Sequence, residues 1–204
     1  MVQERNKGAE KRERILQSAI KVFARKGFYN TRVSEIARTA GVADGTIYLY
    51  FKNKDDILIS LFNDRIGKLN DEMERQLAAL DSPSEKVKRI VSIQLGLLRG
   101  HKDLAEVITI NLRQSNRFLK QYAAPGFNRY LDIIAAVIQE GQQSGDFRQD
   151  VSPRVAACSL FGALDGLSLT WVLGTRDADR LARAGQQVSH IFIEGLRAPE
   201  TTGT

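Results

Sequence analysis

Two tyrosines and two lysines stand close together in GVADGTIYLYFKNKDDIL, residues 41–58. Tyr48 and Tyr50 carry phenolic hydroxyls, and Lys52 and Lys54 carry ammonium groups, so all four can donate hydrogen bonds to phosphate oxygens. Taken singly, tyrosines on a helix are usually core or surface residues, and lysines are usually solvated. Whether these four side chains contact phosphates therefore depends on where the predicted helices place them.

Apolar residues at helical spacing predict short helices before this stretch. A first helix stops at Gly27, because glycine favours the end of a helix. A second, short helix begins near Thr31 or Val33, buries residues 36, 37 and 40, and stops at Gly41. The chain then has three residues in which to turn before the next helix.

A third helix follows, which Asp44 can cap and which runs through Tyr50. Ile47 and Phe51 face inward and hold it on its neighbours, and a fourth, long helix restarts at 53–55. Two short helices joined by a glycine-containing turn form a helix-turn-helix pattern, in which the second helix enters the major groove of DNA. Thr46 and the backbone at residue 45 would then approach base edges.

The positive charge of the chain is concentrated in the same region. Residues 1–60 contain 12 Lys/Arg and 7 Asp/Glu, whereas residues 61–204 contain 18 and 17. This asymmetry favours a polyanionic partner for the N-terminal part. A solvated basic tail is the alternative, since MVQERNKGAEKRER alone carries much of the excess.

The remaining sequence predicts an all-α protein, because no long run alternates apolar and polar residues. Further helices are predicted from about Pro83 to Gly100, Asp103 to Leu112, Phe127 to Gln143, Pro153 to Gly174, and from a cap at Asp177 to Leu196. The apolar run at 155–174 is long enough for a membrane span, but it carries Asp165. A buried helix, with no membrane partner, is the preferred interpretation.

Residues that could support catalysis are few. Cys158, His101 and His190 are the only cysteine and histidines, and none stands in a recognisable nucleophile setting. We also find no metal-ligand spacing and no phosphate-binding glycine loop. We therefore predict no enzyme, catalytic residue, metal or cofactor. A single cysteine and a charged N-terminus favour a cytoplasmic location.

The stretch TRVSEIARTAGVADGTIYLYFKNKDDIL, residues 31–58, resembles the DNA-binding domain of the TetR family of bacterial repressors. This resemblance implies an all-α, TetR-like fold of about nine helices. It implies a three-helix helix-turn-helix DNA-binding domain at 1–54 and a larger ligand-binding and dimerisation domain at 55–204. It also implies a homodimer that reads two half-sites of a pseudo-palindromic operator in double-stranded DNA.

Carried over residue by residue, the resemblance places Tyr48, Tyr50 and Lys54 at phosphates. It places Ser34, Asp44, Gly45 and Thr46 near base edges. Asp44 departs from the family's pattern, because DNA phosphates repel a negatively charged side chain. We therefore prefer a role for Asp44 as the helix cap over recognition of cytosine. The full set of predicted DNA-binding residues is Arg32, Ser34, Asp44, Gly45, Thr46, Tyr48, Tyr50, Lys52 and Lys54.

Residues 41–62, together with LRQSN at 112–116, EGQQSGDF at 140–147 and FGALDGLSLTWVL at 161–173, resemble the fatty-acid-degradation repressors of the TetR type. This implies long-chain acyl-CoA as the effector that releases DNA. An acyl chain needs an apolar cavity, and coenzyme A needs cations for its phosphates. The predicted ligand-binding residues are Arg113, Asn116, Arg117, Lys120, Phe161, Asp165 and Trp171.

Alternatives remain for these ligand residues. LRQSNRFLK also fits a solvated helix end, the apolar helices also fit an ordinary core, and the effector could be another apolar molecule such as a drug or free fatty acid. Asp165 fits either a core hydrogen-bond network or a ligand contact. A sequence-independent structural DNA binder is a further alternative, distinguished by the absence of any ligand response.

The last two predicted helices are rich in small residues, which allow helices to approach closely. We predict that they form a four-helix dimer interface with a second subunit. The small residues are Ala156, Ala157, Ser159, Gly162, Ala163, Gly166, Ala182, Ala184, Gly185 and Ser189.

Overall fold

The computed structural model describes residues 2–115 and 125–199. Over these residues nine α-helices follow one another, and no strand is formed apart from an isolated bridge between Phe147 and Arg197. The helices are α1 (Val2–Asn30), α2 (Val33–Ala40), α3 (Asp44–Tyr48), α4 (Lys54–Leu77), α5 (Pro83–Gly100), α6 (Lys102–Glu106), α7 (Pro125–Ser144), α8 (Pro153–Leu173) and α9 (Ala178–Leu196).

The described residues group into two compact units. The first unit contains residues 2–65 and 101–115, and the second contains residues 66–100 and 125–199. Residues 55–65 and 101–115 thus pack with the N-terminal helices. The functional boundary predicted after residue 54 stays a prediction.

Helix ends in the first unit follow local sequence chemistry. Gly41 ends α2 with φ 64° and ψ 40°, and Val42 N donates to Ala37 O at 3.0 Å. Gly27 breaks α1 with φ 76°, but one further turn of helix follows to Asn30. Both positive φ values lie in the left-handed region that glycine adopts without steric cost. The predicted stop at Gly27 is therefore a kink near the end of α1.

The core of the first unit contains the apolar residues predicted to face inward. Ile36, Ala37, Ile47 and Phe51 expose no more than 2% of their surface, and Ala40 exposes 5%. They hold α2 and α3 on the other helices of the unit, as in a helix-turn-helix arrangement. The C-terminal part of the unit adds α6 and the residues that follow it, which pack on α1.

The segment after α6 differs from the single helix predicted there. Val107–Asn111 form a π-helix and Leu112–Gln114 a 3-10 helix. The hydrogen-bond register therefore changes twice between residues 102 and 114. Short π turns inside helices occur frequently at functional sites, and residues 112–115 contact the N-terminal helices, as described below.

The second unit is a packed group of long helices, α5, α7, α8 and α9, with the C-terminal part of α4. Gly185 of α9 lies so close to α5 that an added Cβ would be 2.6 Å from Leu95 Cδ1. The predicted cap of α9 is confirmed, because the Asp177 side chain accepts from Asp179 N at 2.9 Å and Arg180 N at 3.0 Å. These two hydrogen bonds lower the pKa of Asp177.

Helix α8 is long and apolar enough to cross a membrane by length and composition. In the structure one face of α8 is buried, including Ala156, Ala157, Leu160 and Leu164. The opposite face is exposed and consists mainly of small residues, with Val155 60% and Leu173 70% exposed. A helix that buries one face against its neighbours and exposes the other is amphipathic in its packing, as expected for a helix at the edge of a helical core.

Candidate DNA-binding and effector sites

Helix α3 and the links on either side of it hold most of the residues predicted to contact DNA. Arg32, Ser34, Asp44, Gly45, Tyr48 and Lys52 are exposed, whereas Thr46, Tyr50 and Lys54 are half-buried. All nine belong to the first unit. Apart from Gly45 itself, its two chain neighbours and the backbone of α3, no described atom lies within 4 Å of where a Cβ at Gly45 would stand, so this turn of α3 is open.

The predicted cap of α3 needs correction. Ala43 is the N-cap residue and Asp44 is the first residue of the helix, with no side-chain cap hydrogen bond. The turn that begins α3 is closed by the backbone instead, since Thr46 N donates to Ala43 O at 2.9 Å. The carboxylate of Asp44 remains exposed in the first turn, where the helix dipole favours negative charge.

Helix α2 is fixed by a charged network at its first turn. Arg32 N donates to Glu35 Oε2 at 3.1 Å, and Lys26 of α1 forms an ion pair with the same carboxylate. The hydrogen bond from Lys26 and that from the Arg32 backbone lower the pKa of Glu35. Helix α2 is thereby tied to α1 next to the predicted DNA contact at Arg32.

A second fixing point uses Lys54. Its ammonium donates to the carbonyl oxygens of Phe28 at 2.6 Å, Tyr29 at 3.1 Å and Thr31 at 3.0 Å. The phosphate contact predicted for this lysine stays a prediction, and the structure adds three backbone partners for its ammonium. These partners lie 23 to 26 positions earlier in the chain, so no local pattern indicates them.

Leu49 is an exposed residue that sequence reasoning missed. It follows the last residue of α3 and exposes 81% of its surface. The signal was present in the pattern, since Leu49 lies two positions from each of the inward-facing residues Ile47 and Phe51. A leucine between two buried residues of one helical turn must point elsewhere.

The predicted effector residues lie in both units. Asn116, Arg117 and Lys120 lie outside the described residues. Arg113, in the first unit, is exposed and donates to the carbonyl of Thr109.

Phe161, Asp165 and Trp171 lie on α8 in the second unit. The Phe161 ring packs edge-on against Phe127 at 5.0 Å and Tyr130 at 5.9 Å between centroids. Trp171 is 7% exposed and its indole N–H donates to Asp177 O at 2.8 Å, which joins the end of α8 to the start of α9. Asp165 is half-buried.

A cleft of about 750 Å³ opens between α5 and α9 in the second unit. Val91, Leu95 and Ile193 contribute apolar surface to it, and Lys88 and Arg197 on its rim are paired with Glu85 and Glu194. Arg113, Phe161, Asp165 and Trp171, the predicted ligand-binding residues that the structure describes, do not line this cleft. For these four residues, the predicted effector site and the cleft are separate features.

Comparison with known proteins identifies the class of protein that these elements define. Residues 15–61 match the bacterial regulatory proteins of the tetR family, and residues 62–195 match the C-terminal region of YsiA-like proteins. The chain belongs to the TetR family of DNA-binding transcriptional regulators, which confirms the predicted fold class.

Among individual proteins, the chain is 38% identical over 182 residues to the fatty acid metabolism regulator protein of Bacillus subtilis, covering 89% of this chain and 93% of that protein. The crystal structure of B. subtilis FadR in complex with stearoyl-CoA matches with a TM-score of 0.84, covering 91% of this chain and 99% of that one. The fatty acid degradation regulator FadR of Bacillus halodurans matches with a TM-score of 0.83 at 36% identity, with the same coverage.

Proposed function

We propose that this protein represses transcription of fatty acid degradation genes and that long-chain acyl-CoA releases it from its operator. The observation that carries this proposal is the 38% identity to the B. subtilis fatty acid metabolism regulator over 89% of the chain. That similarity includes the C-terminal region, where TetR-family proteins differ most, and the related FadR structure contains stearoyl-CoA. A cytoplasmic location follows from this function.

On the DNA side, we propose that Thr46, Gly45 and the neighbouring part of α3 approach base edges. Arg32, Tyr48, Tyr50 and Lys52 surround them with groups that donate to phosphate oxygens. Support comes from the exposure of Arg32, Gly45, Tyr48 and Lys52, together with the buried residues that hold α3 in place.

On the effector side, an acyl chain and a coenzyme A head require different surroundings. The second unit supplies apolar side chains on α5, α7 and α8, with the aromatic group of Phe127, Tyr130 and Phe161. Arg113, Arg117 and Lys120 form the basic run that the sequence predicts for phosphate groups. We propose the apolar and aromatic residues as contacts for an acyl chain and this basic run as contacts for coenzyme A.

Dimerisation is proposed through the exposed face of α8 together with α9. Ser159, Gly162, Ala163 and Gly166 lie on the exposed face. We leave four other small residues out of the proposed interface because they are buried within the subunit: Ala156, Ala157, Gly185 and Ser189. The proposed interface is therefore narrower than the sequence predicts.

The proposed mechanism is a shift between two states of the dimer. In the DNA-binding state the two recognition helices lie about one helical turn of DNA apart, roughly 34–36 Å. The effector must bind the other state more tightly, because a ligand with equal affinity for both states shifts nothing. A 100-fold loss of operator affinity requires a coupling free energy of about 2.8 kcal/mol.

A DNA-binding titration tests the proposal. The DNA is the promoter of the protein's own gene or of neighbouring acyl-CoA genes, titrated alone and with long-chain acyl-CoA, free coenzyme A or free fatty acid. We expect specific binding that acyl-CoA alone abolishes. Specific binding that is indifferent to acyl-CoA would retain the repressor and reject this effector, and release by free fatty acid or by a drug would identify another apolar ligand.

A further inference from the structure

The three hydrogen bonds of Lys54 use all the donors of its side chain. An ammonium group has three N–H bonds, and three carbonyl oxygens lie 2.6–3.1 Å from Nζ. Nζ also lies 4.5 Å from the centroid of the Phe28 ring, which is 5% exposed. A cation over a buried aromatic face gains a further attraction. In this arrangement Lys54 has no donor left for a phosphate.

The carbonyls that Lys54 binds are those of a helix end. Phe28 and Tyr29 belong to the last turn of α1, after the kink at Gly27, and Thr31 lies in the link to α2. Carbonyls at a helix C-terminus lack partners within the helix, and the helix dipole favours a cation there. Because Lys54 is the first residue of α4, its side chain joins the start of α4 to the end of α1.

Burial lowers the pKa of Lys54, and the neighbouring charge of Asp55 partly offsets the change. Removing this half-buried cation would take a donor from three carbonyl oxygens and remove the charge, although Phe28 O would still accept from Thr31 N at 3.3 Å.

Lys52 provides the contrast two residues earlier. Its side chain is exposed and makes no hydrogen bond or ion pair within the described part of the chain. Its backbone N–H donates to Asp56 Oδ2 at 2.8 Å, so the main chain at this point is fixed while the ammonium stays in solvent. The two lysines therefore have the same charge but different surroundings.

We infer that Lys54 is a positioning residue for DNA binding and that Lys52 supplies the phosphate contact at this site. Lys54 fixes the first turn of α4 against the end of α1 and so holds the helix-turn-helix in its binding geometry. The inference rests on the DNA-binding role of this region, which family membership establishes independently of the effector.

The salt dependence of operator binding separates the two roles. Each phosphate contact contributes a slope of about −0.9 to log K against log[salt], so losing one contact per subunit removes about 1.8 from the slope of a dimer. In the full-length protein, Lys52→Met should flatten the slope by about this amount. Lys54→Met should keep the native slope and lower the affinity at every salt concentration.

Folding must be controlled in this comparison, because Lys54→Met takes one donor away from each of three carbonyls. Circular dichroism therefore sets a temperature at which the variant is fully folded, and the affinity is measured there. A merely stabilising role would leave the affinity of the folded variant unchanged, whereas a positioning role still lowers it. Unchanged affinity would overturn the inference.

Lys54→Arg is the second variant and does not depend on that control. A guanidinium keeps the charge for a phosphate, but its planar fork cannot direct three donors from one nitrogen. We expect lowered affinity with an unchanged slope. Native affinity in Lys54→Arg, or a flattened slope in Lys54→Met equal to that of Lys52→Met, would assign the phosphate contact to Lys54 and overturn the inference.

Discussion

Leu49, directly after α3, adds an exposed apolar side chain to the polar groups that this helix presents. The exposed residues of α3 itself are Asp44, Gly45 and Tyr48, which together offer few side-chain donors for base edges. The methyl group of thymine is the apolar feature of the major groove. A leucine with 81% of its surface exposed directly after α3 is suited to contact it.

We predict that Leu49 contacts a thymine methyl group in the operator. Burying one methyl group is worth about 0.8 kcal/mol, which is roughly a fourfold change in affinity for each contact. Leu49→Ala should therefore weaken operator binding. Replacing single thymines by deoxyuridine should weaken binding of the native protein at one position per half-site.

The control is the combination of both changes. If the methyl group and Leu49 contact each other, deoxyuridine at that position should not weaken Leu49→Ala any further. Additive losses at every thymine position would contradict the contact. A titration series on one operator provides all four affinities of this cycle.

For single residues, the sequence predicts which side chains are buried but not which groups they bind. Ile47 and Phe51 follow from helical spacing, and both are buried. The partners of Lys54 come from another helix, so no local pattern indicates them. From the sequence alone, a lysine beside two tyrosines is predicted to contact phosphate. In the folded protein the end of α1 lies beside Lys54 and supplies carbonyl oxygens that it binds.

Among the helices, residues 112–115 connect to the DNA-binding elements through two hydrogen bonds. Tyr29 Oη donates to Gln114 O at 2.6 Å, and Ser115 Oγ donates to Asp55 Oδ1 at 2.6 Å. Tyr29 is at the end of α1 and Asp55 is in the first turn of α4. The predicted effector residue Asn116 follows directly in sequence.

We predict that Ser115→Ala weakens the coupling between acyl-CoA and operator binding. Substitutions along a coupled network change the coupling by about 0.5–2 kcal/mol, or roughly 2- to 30-fold. The operator affinity without effector should change less than this. The measurement is the ratio of operator affinities with and without saturating acyl-CoA.

Ser144→Ala is the matched control, because Ser144 Oγ donates to Asp146 Oδ2 at 2.7 Å in the second unit. Ser144→Ala loses a serine–aspartate hydrogen bond of similar length that does not connect residues 112–115 to the DNA-binding elements. An equal loss of coupling in both variants would contradict the special role of Ser115. Full coupling in Ser115→Ala would contradict it as well.

Local chemistry also explains which helix boundaries were predictable. The start of α8 at Pro153, the end of α2 at Gly41 and the cap at Asp177 are confirmed, because each depends on one residue and its near neighbours. The π and 3-10 turns at 107–114 were not predicted. Their hydrogen bonds change register without any proline or glycine to mark the change.

For the whole molecule, the exposed face of α8 carries the proposed assembly. It presents small residues with Val155 at one end and Leu173 at the other, both largely exposed. Ile191 of α9 is 70% exposed as well. Exposed apolar residues arranged along one helix face are typical of an interface between subunits.

We predict that Ala163→Glu converts the dimer to a monomer, because it places a charge at the centre of this face. A monomer binds one half-site, so operator affinity should fall about 100-fold or more through loss of the second contact. Light scattering at micromolar concentration gives the mass, and an operator titration gives the affinity.

Gln143→Glu is the control, since it introduces the same charge at an exposed position of α7. This variant should remain dimeric with native operator affinity. A dimeric Ala163→Glu protein would move the interface away from α8. A native protein that is itself monomeric would reject the proposed assembly.

The π turn at Val107–Asn111 sets the direction in which the residues after it project. Successive residues of an α-helix are rotated by about 100° about the helix axis. Deleting one residue from this turn would therefore rotate residues 112–115 by about that angle. The segment could return to a regular α-helix at little cost in helical hydrogen bonds. Ser115 would then point away from Asp55. The hydrogen bond between them would be lost because the segment is one residue shorter, although Ser115 and Asp55 are both still present.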